Sequence, residues 1–322
     1  TGSDTAAPTQ EYMSVTATRE SITHVSKRAG AGAATLGNGE FPMTEHDFAT
    51  IAKLLYEDAG IYLADTKATF VYSRLSKRLR ALGLESFKDY CALVQAGTGG
   101  DERMTMLASL TTNVTHFFRE MHHFDQLRDV LLPPLLAEAK RGGRARIWSA
   151  GCSMGHEPYS IAMTILSLMP NAADYDVRIL ASDIDPNVVA TGRAGVYGAS
   201  ALESIPVDLR RKWFRPSVGE GGGRGQAATE MLYEVADPLR DLVAFRELNL
   251  NGEWPMRGMF DAIFCRNVTI YFDQPTRERV WKRFVERLLP NGVLFIGHSE
   301  RVTGPALEAV EFHGNTSYRK VR

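Results

Sequence analysis

Two acids stand where an open α/β sheet presents side chains to a ligand. Glu157 precedes Pro158 in WSAGCSMGHEPYS (Trp148 to Ser160), and Asp183 lies in Ala181-Ser182-Asp183-Ile184-Asp185, ahead of Pro186. Proline is favoured in a helix's first turn, so both segments read as strand-to-helix junctions. A carboxylate at the tip of the second strand can accept both ribose hydroxyls. An acid at the start of the first helix would repel pyrophosphate but welcome an ammonium or sulfonium group. Gly151 and Gly155 mark points where the backbone must turn sharply and admit a ligand closely. The Walker Gly-Lys-Ser/Thr ending is missing, which argues against a phosphate cradle. The chemistry indicated is that of a positively charged cofactor. The blander reading of Glu157 is capping electrostatics, and Asp185 reads as a helix cap.

A third constellation follows a strongly hydrophobic strand in FDAIFCRNVTIYFD, Phe260 to Asp273. It offers Arg266-Asn267 and then Ile270-Tyr271-Phe272-Asp273 at the carboxyl edge, where such sheets bind ligands. The elements that carry these groups follow from periodicity. Arg144 to Ala150 predicts a strand, Glu157 to Met169 a helix and Val177 to Ser182 a second strand, the βαβ start of a nucleotide-binding half-sheet. Leu242 to Leu250, Phe260 to Cys265 and Gly292 to Gly297 continue the sheet, with a helix from Thr276 to Leu289. Val310 to Val321 alternates around His313-Gly314-Asn315 and predicts antiparallel edge strands. The expectation is a mixed, doubly wound sheet.

Upstream, residues 44–110 carry a helical pattern. Thr44 and Asp47 resemble a capping box, followed by Phe48, Ile51, Leu54 and Leu55 on one face up to Gly60. A second helix is expected from Asp65 to Leu82, with Leu75, Leu79 and Leu82 inward and Gly83 as its stop. Shorter helices follow near Ser86 to Gln95 and Glu102 to Leu110. The Ala/Gly/Ser/Thr-rich leader before Phe41 cannot bury enough apolar surface to offset its ordering entropy, and it reads as flexible; Thr1-Gly2-Ser3 resembles an expression scar. Between the second and third strands, Gly195 to Asp241 exceeds a minimal crossover. Tyr233 to Val235 suggests a short strand, Leu202 to Phe214 a helix, and Ser217 to Thr229 a glycine-rich mobile loop. Either a small subdomain beside the ligand edge or a long surface loop fits.

Composition sets the bounds. The chain has 322 residues, 44% apolar content and a formal net charge of -1, enough for a sizeable core and for two domains. Cys91, Cys152 and Cys265 have no paired spacing, and no apolar run reaches the roughly 20 residues of a bilayer span, so a reducing cytoplasmic setting is expected. The second helix holds Lys67, Arg74, Lys77, Arg78 and Arg80. They read either as a solvated face or as a docking surface for an acidic partner. The near-neutral chain lacks interleaved exposed aromatics, which speaks against nucleic acid.

These residues resemble the chemotaxis receptor methyltransferases (CheR-like), which use S-adenosylmethionine to esterify glutamates on bacterial chemoreceptors. The matching blocks are TNVTHFFRE (112–120), SAGCSMGHEPYSIAM (149–163), ASDIDP (181–186), FDAIFCRNVTIYFD (260–273) and NGVLFIGHSE (291–300). The resemblance runs from Phe41 to the C-terminus. It implies an α/β fold, a doubly wound mixed sheet of S-adenosylmethionine-dependent methyltransferase type, with a small N-terminal all-helical domain and an inserted β-subdomain. The boundaries it implies are a leader at 1–40, a helical receptor-docking domain at 41–115, a linker and cofactor-proximal helix at 116–143, and the methyltransferase domain at 144–322, its insertion at about 195–241.

The resemblance also implies residue roles. Glu157 and Asp183 contact the amino-acid and ribose portions of the cofactor, and Asn249, next to Leu250, lies near the adenine. Arg119 lies near the transferred methyl, while Arg266 and Tyr271 line the substrate side. Asn113, Thr115, Gly151 and Asn267 complete the cofactor set, with Arg266 counted in it too, and Arg119 and Tyr271 form the catalytic pair. Arg74, Lys77, Arg78 and Arg80 match the part that engages receptor methylation helices. The insertion resembles the β-subdomain with which some members grasp a receptor's C-terminal tether. The implied product is S-adenosylhomocysteine, the partner a chemoreceptor's cytoplasmic helical domain, and the protein a monomer without membrane insertion.

One departure stands out. The family block reads Gly-Glu-Glu-Pro, whereas here it is Gly155-His156-Glu157-Pro158, with Met154 where threonine is common. Activity is expected to persist, with looser cofactor affinity from the lost negative charge. A substrate glutamate, with a reference pKa of about 4.3, is already an ionised nucleophile near pH 7 and needs no general base. Arg119 can orient it through its planar fork and Tyr271 can donate a hydrogen bond or shape the methyl path. The competing readings are a salt bridge from Arg119 to Glu120 and packing of Tyr271 beside Phe272. His116, His122 and His123, with Asp125 nearby, do not make a converging triad, so no metal is expected. Two other functions stay open: a methyltransferase acting on another protein or acid, and a non-catalytic module that binds S-adenosylmethionine or S-adenosylhomocysteine.

Overall fold

The computed structural model describes residues 39–96, 100–217 and 231–321. The leader up to residue 38 and the glycine-rich run 218–230 lie outside the described residues, and with them the expected flexibility of both. Four helices come first: α1 (Glu45–Ala59), α2 (Ala68–Leu82), α3 (Phe87–Gln95) and α4 (Gly100–Leu110). Thr44 and Asp47 close the reciprocal capping box, and Gly60 and Gly83 end α1 and α2 in the left-handed region that glycine tolerates. Ile51, Leu55, Val71, Leu75, Leu79 and Phe87 are fully buried in the core between these helices. Leu82, expected inward, is 38% exposed, because it occupies the last turn before the Gly83 stop. The chain enters α2 through a separate 3-10 turn, Asp65–Lys67.

The main sheet uses β1 (Ala145–Ala150), β2 (Val177–Asp183), β6 (Val243–Glu247), β7 (Phe260–Cys265), β8 (Leu288–Ile296), β9 (Val310–Gly314) and β10 (Ser317–Lys320). Their order is β6-β2-β1-β7-β8-β10-β9. The first five are parallel, and β10 runs antiparallel to both β8 and β9. Register brings the chemistry together: Ala150 pairs with Ser182 and Ser149 with Phe264, so Gly151, Asp183 and Arg266 leave the sheet at one edge. Strand β6 is shorter than expected, ending at Glu247, which frees Leu248 to Leu250 to turn toward that edge.

Both faces are covered. The His156–Leu168 helix is apolar nearly all round and lies buried on one face, while Trp281 and Phe284 of the Gln274–Arg287 helix pack with Trp148 on the other. Residues 122–140 form a helical run whose middle, Leu127–Leu131, is a π turn. The helical segment and the sheet belong to one compact unit.

Of the two readings of the insertion, the subdomain is correct. Strands β3 (Val196–Gly198), β4 (Phe214–Ser217) and β5 (Leu232–Val235) form an antiparallel sheet in the order β3-β5-β4, with helix Val207–Trp213 leading into β4. It is anchored by an aromatic cluster in which Tyr197 and Phe214 meet the Phe117 ring edge-on at 5.2 and 5.5 Å.

Candidate active site

The carboxyl edge of β1, β2 and β7 opens into a cavity of 230 Å³. Every residue of the implied cofactor set and catalytic pair lines it. Asn113, Thr115 and Arg119 come from the segment after α4, and Gly151 and Glu157 from the first crossover. Asp183 ends β2, Asn249 and Leu250 follow β6, and Arg266, Asn267 and Tyr271 follow β7. The basic residues of α2 do not line it.

Glu157 enters at the first turn of its helix. Its Oε1 accepts from Ser149 Oγ at 2.7 Å and its Oε2 from Arg266 Nη1 at 3.1 Å. Burial pushes the Glu157 carboxyl up, against the lowering pull of Arg266 and Ser149. Arg266, only 7% exposed, also sits 3.4 Å from Glu120 and donates to the Arg119 carbonyl. The arginine is thus a buried strut between two acids at the cavity wall. Glu157 is correspondingly not a bare negative charge. At Glu120, burial raises the carboxyl, but Arg266 and His298 outweigh it, and the group stays below its ordinary range. Two acids to one guanidinium leave this corner with an excess of negative charge.

Asp183 is held by backbone amides: Oδ2 accepts from Ser153 N at 2.8 Å and Oδ1 from Asp185 N at 3.1 Å. Burial pushes it up and these amides partly restore it. Each oxygen keeps a lone pair for a hydroxyl donor. Asp185 caps the next helix through Asn187 N at 2.9 Å, and it also accepts from Asn113 Nδ2 at 3.0 Å. That bond, with Ser153 Oγ donating to the Asn113 carbonyl at 3.2 Å, straps the post-α4 segment across the β1 and β2 loops.

The two glycines of the first crossover do different things. At Gly151, φ is +80°, and an added Cβ would stand 2.3 Å from Val268 Cγ2, so only glycine lets the β1 and β7 loops close on each other. Gly155, at φ +90°, does not line the cavity. Its Cβ would meet Gly192 Cα at 2.9 Å and the Tyr197 hydroxyl at 3.0 Å. The expected ligand approach there is replaced by close packing on the subdomain. His156 likewise turns away from the cavity. It is 3% exposed, its ring 4.5 Å from Phe117 and 5.0 Å from Tyr197, and burial pulls its pKa down to about 4. The expected loosening of cofactor affinity has no geometric basis, because a side chain buried among aromatics does not face the ligand. The Met154 side chain is absent from the cavity wall as well; its carbonyl accepts from Tyr197.

Asn249 is committed to the helical segment: Nδ2 donates to the Asp58 carbonyl and Oδ1 accepts from Asn251 N at 2.9 Å. It lines the cavity with one amide N–H and one carbonyl lone pair left over. Arg119 and Tyr271 are the opposite case. Among the described residues Arg119 makes one side-chain bond, Nη1 to the Val114 carbonyl at 3.2 Å, and not the salt bridge to Glu120. Tyr271 receives Tyr62 N on its carbonyl at 2.9 Å, while its hydroxyl and ring have no partner among the described residues. Asn267 Oδ1 is buried without a partner at the cavity wall. Around the cleft, Phe118, Glu120, Ser153 and Asn267 adopt positive φ of 54°, 57°, 48° and 59°, a concentration of backbone strain typical of functional sites. Glu120, Ser149 and Ser153 were not singled out from the sequence. A serine within the apolar stretch Ile147-Trp148-Ser149-Ala150 of β1 is the one local signal for any of them.

Glu120, His122 and His123 bring ligand atoms within 4.8 Å of one another, a convergence that helical spacing did not suggest. Arg266, 3.4 Å from Glu120, already supplies positive charge there. His123 donates or accepts at Thr316 Oγ1 at 2.8 Å, and burial lowers its pKa to about 3. No helix among the described residues is long and apolar enough to cross a membrane.

A zwitterionic nucleoside fits these residues: a hydroxyl acceptor at Asp183, an orphaned acceptor at Asn267, and an acid-rich corner at Glu157. Comparison with known proteins agrees. The family models described as "CheR methyltransferase, all-alpha domain" and "CheR methyltransferase, SAM binding domain" match residues 46–111 and 113–318. A probable chemotaxis protein methyltransferase of Rhizobium etli is 53% identical, covering 83% of this chain and 96% of its own length. Chemotaxis protein methyltransferase 2 of Pseudomonas aeruginosa is 43% identical over 88% and 95%, and the chemotaxis protein methyltransferase of Escherichia coli is 42% identical over 80% and 85%. The similarity takes in the helical segment, the sheet and the cleft together. The chain therefore belongs to the CheR methyltransferase family, and its cofactor is S-adenosylmethionine.

Proposed function

We propose that this methyltransferase esterifies glutamate side chains on the cytoplasmic helical domain of bacterial chemoreceptors. The carrying observation is one cleft in which Arg119 and Tyr271 keep donors free while the cofactor-side acids Glu157 and Asp183 are already engaged. Bound S-adenosylmethionine supplies an electrophilic methyl group and leaves as S-adenosylhomocysteine. The acceptor glutamate arrives ionised, so the protein must orient it and exclude water rather than remove a proton. Arg119 presents its fork to the carboxylate, countering the rise in pKa that burial would impose. The Tyr271 hydroxyl donates to the same group or walls the methyl path.

Docking falls to α2. Arg74, Lys77 and Arg80 project to solvent and suit an acidic helical partner. Arg78 does not belong with them: Glu102 takes its Nε and Nη2 at 3.1 and 2.6 Å, making it an internal strut. Arg80 is held at the surface by Glu40, a pair weak enough to exchange. Edge strands β3 and β4 of the subdomain give a receptor's C-terminal tether a place to add as a strand. A cytoplasmic monomer is part of this proposal.

Labelled methyl transfer to receptor-bearing membranes, with base-labile release of methanol, tests the reaction. Alanine at Arg119 or Tyr271 is expected to lower turnover at saturating cofactor, and unchanged turnover removes that residue from catalysis. Binding of S-adenosylhomocysteine without any label transfer would favour a non-catalytic module. Transfer to tail-deleted receptors decides the tether.

A further inference from the structure

The carboxylate of Glu300, in the turn after β8, is 4% exposed and held by neutral donors alone. Its Oε2 accepts from Asn267 N at 2.8 Å and Gly297 N at 2.6 Å. Its Oε1 accepts from Val268 N at 3.1 Å, Thr269 N at 2.8 Å and Thr269 Oγ1 at 2.7 Å. A buried carboxylate is costly unless its lone pairs are filled, and here one side chain collects five donors.

Four of those donors belong to three consecutive residues of the β7 loop, and each residue leads to the cleft. Asn267, held at φ +59°, lines the cavity. Val268 is the side chain against which Gly151 closes. Thr269 begins the 3-10 turn Thr269–Tyr271 that carries Tyr271. The fifth donor ties the loop to the end of β8 at Gly297, where an added Cβ would stand 2.7 Å from Asn267 Nδ2 and 2.8 Å from Glu300 Oε2. We propose that Glu300 is a positioning residue for methyl transfer, a clamp that sets the cofactor wall and the Tyr271 wall of the cleft in one fixed relation. It touches neither reactant. The proposal rests on the methyl-transfer reading of the cleft.

Glutamine cannot replace this group, since it offers one acceptor oxygen and aims an NH₂ at backbone N–H groups. In the full chain, Glu300→Gln is expected to weaken S-adenosylhomocysteine binding in calorimetry roughly tenfold, as for one lost net hydrogen bond. It is also expected to slow single-turnover methyl transfer at saturating cofactor about 100-fold, the effect of a misplaced reacting group. Leu166→Ala, a core truncation at the far end of the crossover helix, serves as the control for lost stability. At a matched fall in melting temperature it should leave affinity and saturating turnover intact. A Glu300→Gln protein that binds and turns over no worse than this control overturns the proposal. Should Glu300→Gln fail to fold, Thr269→Val removes one donor only and is expected to slow turnover with little change in affinity; parental turnover in that variant likewise overturns the clamp. Label transfer by the parent protein is measured first, so its absence indicts the reaction reading, while the calorimetric arm still judges Glu300.

Discussion

The loops after β1 and β7 face each other across the cleft and are built on different principles. The β1 loop leans on its own backbone and on β2: Gly151 supplies the turn, the Gly151 and Cys152 amides donate to the Ser182 carbonyl, Ser153 N donates to Asp183, and Glu157 sits in the first turn of the following helix. The β7 loop is shaped from outside. Arg266 is held by Glu157 and Glu120, and residues 267–269 by Glu300. Backbone stereochemistry and main-chain bonds to the neighbouring strand dominate one wall of the site, and buried carboxylates from other segments dominate the other. Damage to the second should therefore spread farther.

The hardest test of that contrast is Arg266→Ala, which strands two acids at a buried position. Loss of about 3 kcal/mol of stability is expected, as when one partner of a buried ion pair is removed. Denaturant melts and single-turnover assays should show both stability and methyl transfer falling, and Arg266→Lys should rescue little because an ammonium cannot span the same acceptors. Parental stability in Arg266→Ala would erase the distinction between the loops.

Gly151→Ala probes the other wall and should be milder. The positive φ and the contact with Val268 together are expected to cost about 2 kcal/mol locally and to weaken cofactor binding in calorimetry. Val268→Ala in the same chain should restore part of that affinity by relieving the contact, leaving only the dihedral strain. No restoration would mean that the two loops are not in register as described.

Within the β1 loop, His156 and Glu157 are neighbours facing different media, and pH separates them. His156 stays neutral in the folded protein down to about 4, whereas in the unfolded chain it gains a proton near 6.5. The unfolded state thus binds more protons below 6.5. Stability present above that value is lost as pH falls toward 4, by up to about 3 kcal/mol. His123 acts with the same sign, down to about 3. His156→Phe should flatten its share of this slope in denaturation curves at pH 4.5 and 7, with cofactor affinity at pH 7 unchanged. A shift in that affinity would return His156 to the ligand side.

The smallest effects are expected on α2. Arg78→Ala should cost about 1 kcal/mol, since its pair with Glu102 is partly exposed, with no particular effect on receptor affinity. Arg74→Ala and Lys77→Ala should leave stability alone and raise the receptor KM, more so at low salt. Equal behaviour of the three would dissolve the division between a strut and a docking surface.

Much of this protein was legible in its sequence because the relevant physics is local. Alternating and 3.6-residue periods announced the strands and helices, Thr44 and Asp47 their capping box, and Gly60 and Gly83 two helix ends. The carboxyl edge of a parallel sheet, an acid at a strand tip and another at a helix start indicate a cationic cofactor from the residues alone. What sequence reading could not supply was the allocation of polar groups. Arg266, Arg78 and Asn249 read as contacts for other molecules, and each also has its side chain tied to the fold by a partner 24 to 191 residues away. Gly155 and His156 stand in the cofactor block but serve the packing of a subdomain anchored by Tyr197.

The chain alone determined the order of elements, the edge at which chemistry occurs and the charge of the molecule it accepts, because these follow from side-chain type and spacing along a regular backbone. Tertiary structure decided which polar groups remain free at that edge. Hydrogen bonds and ion pairs are short-ranged, and whether a donor meets an acceptor depends on how remote segments such as Glu300 and Glu120 pack, which no local period encodes.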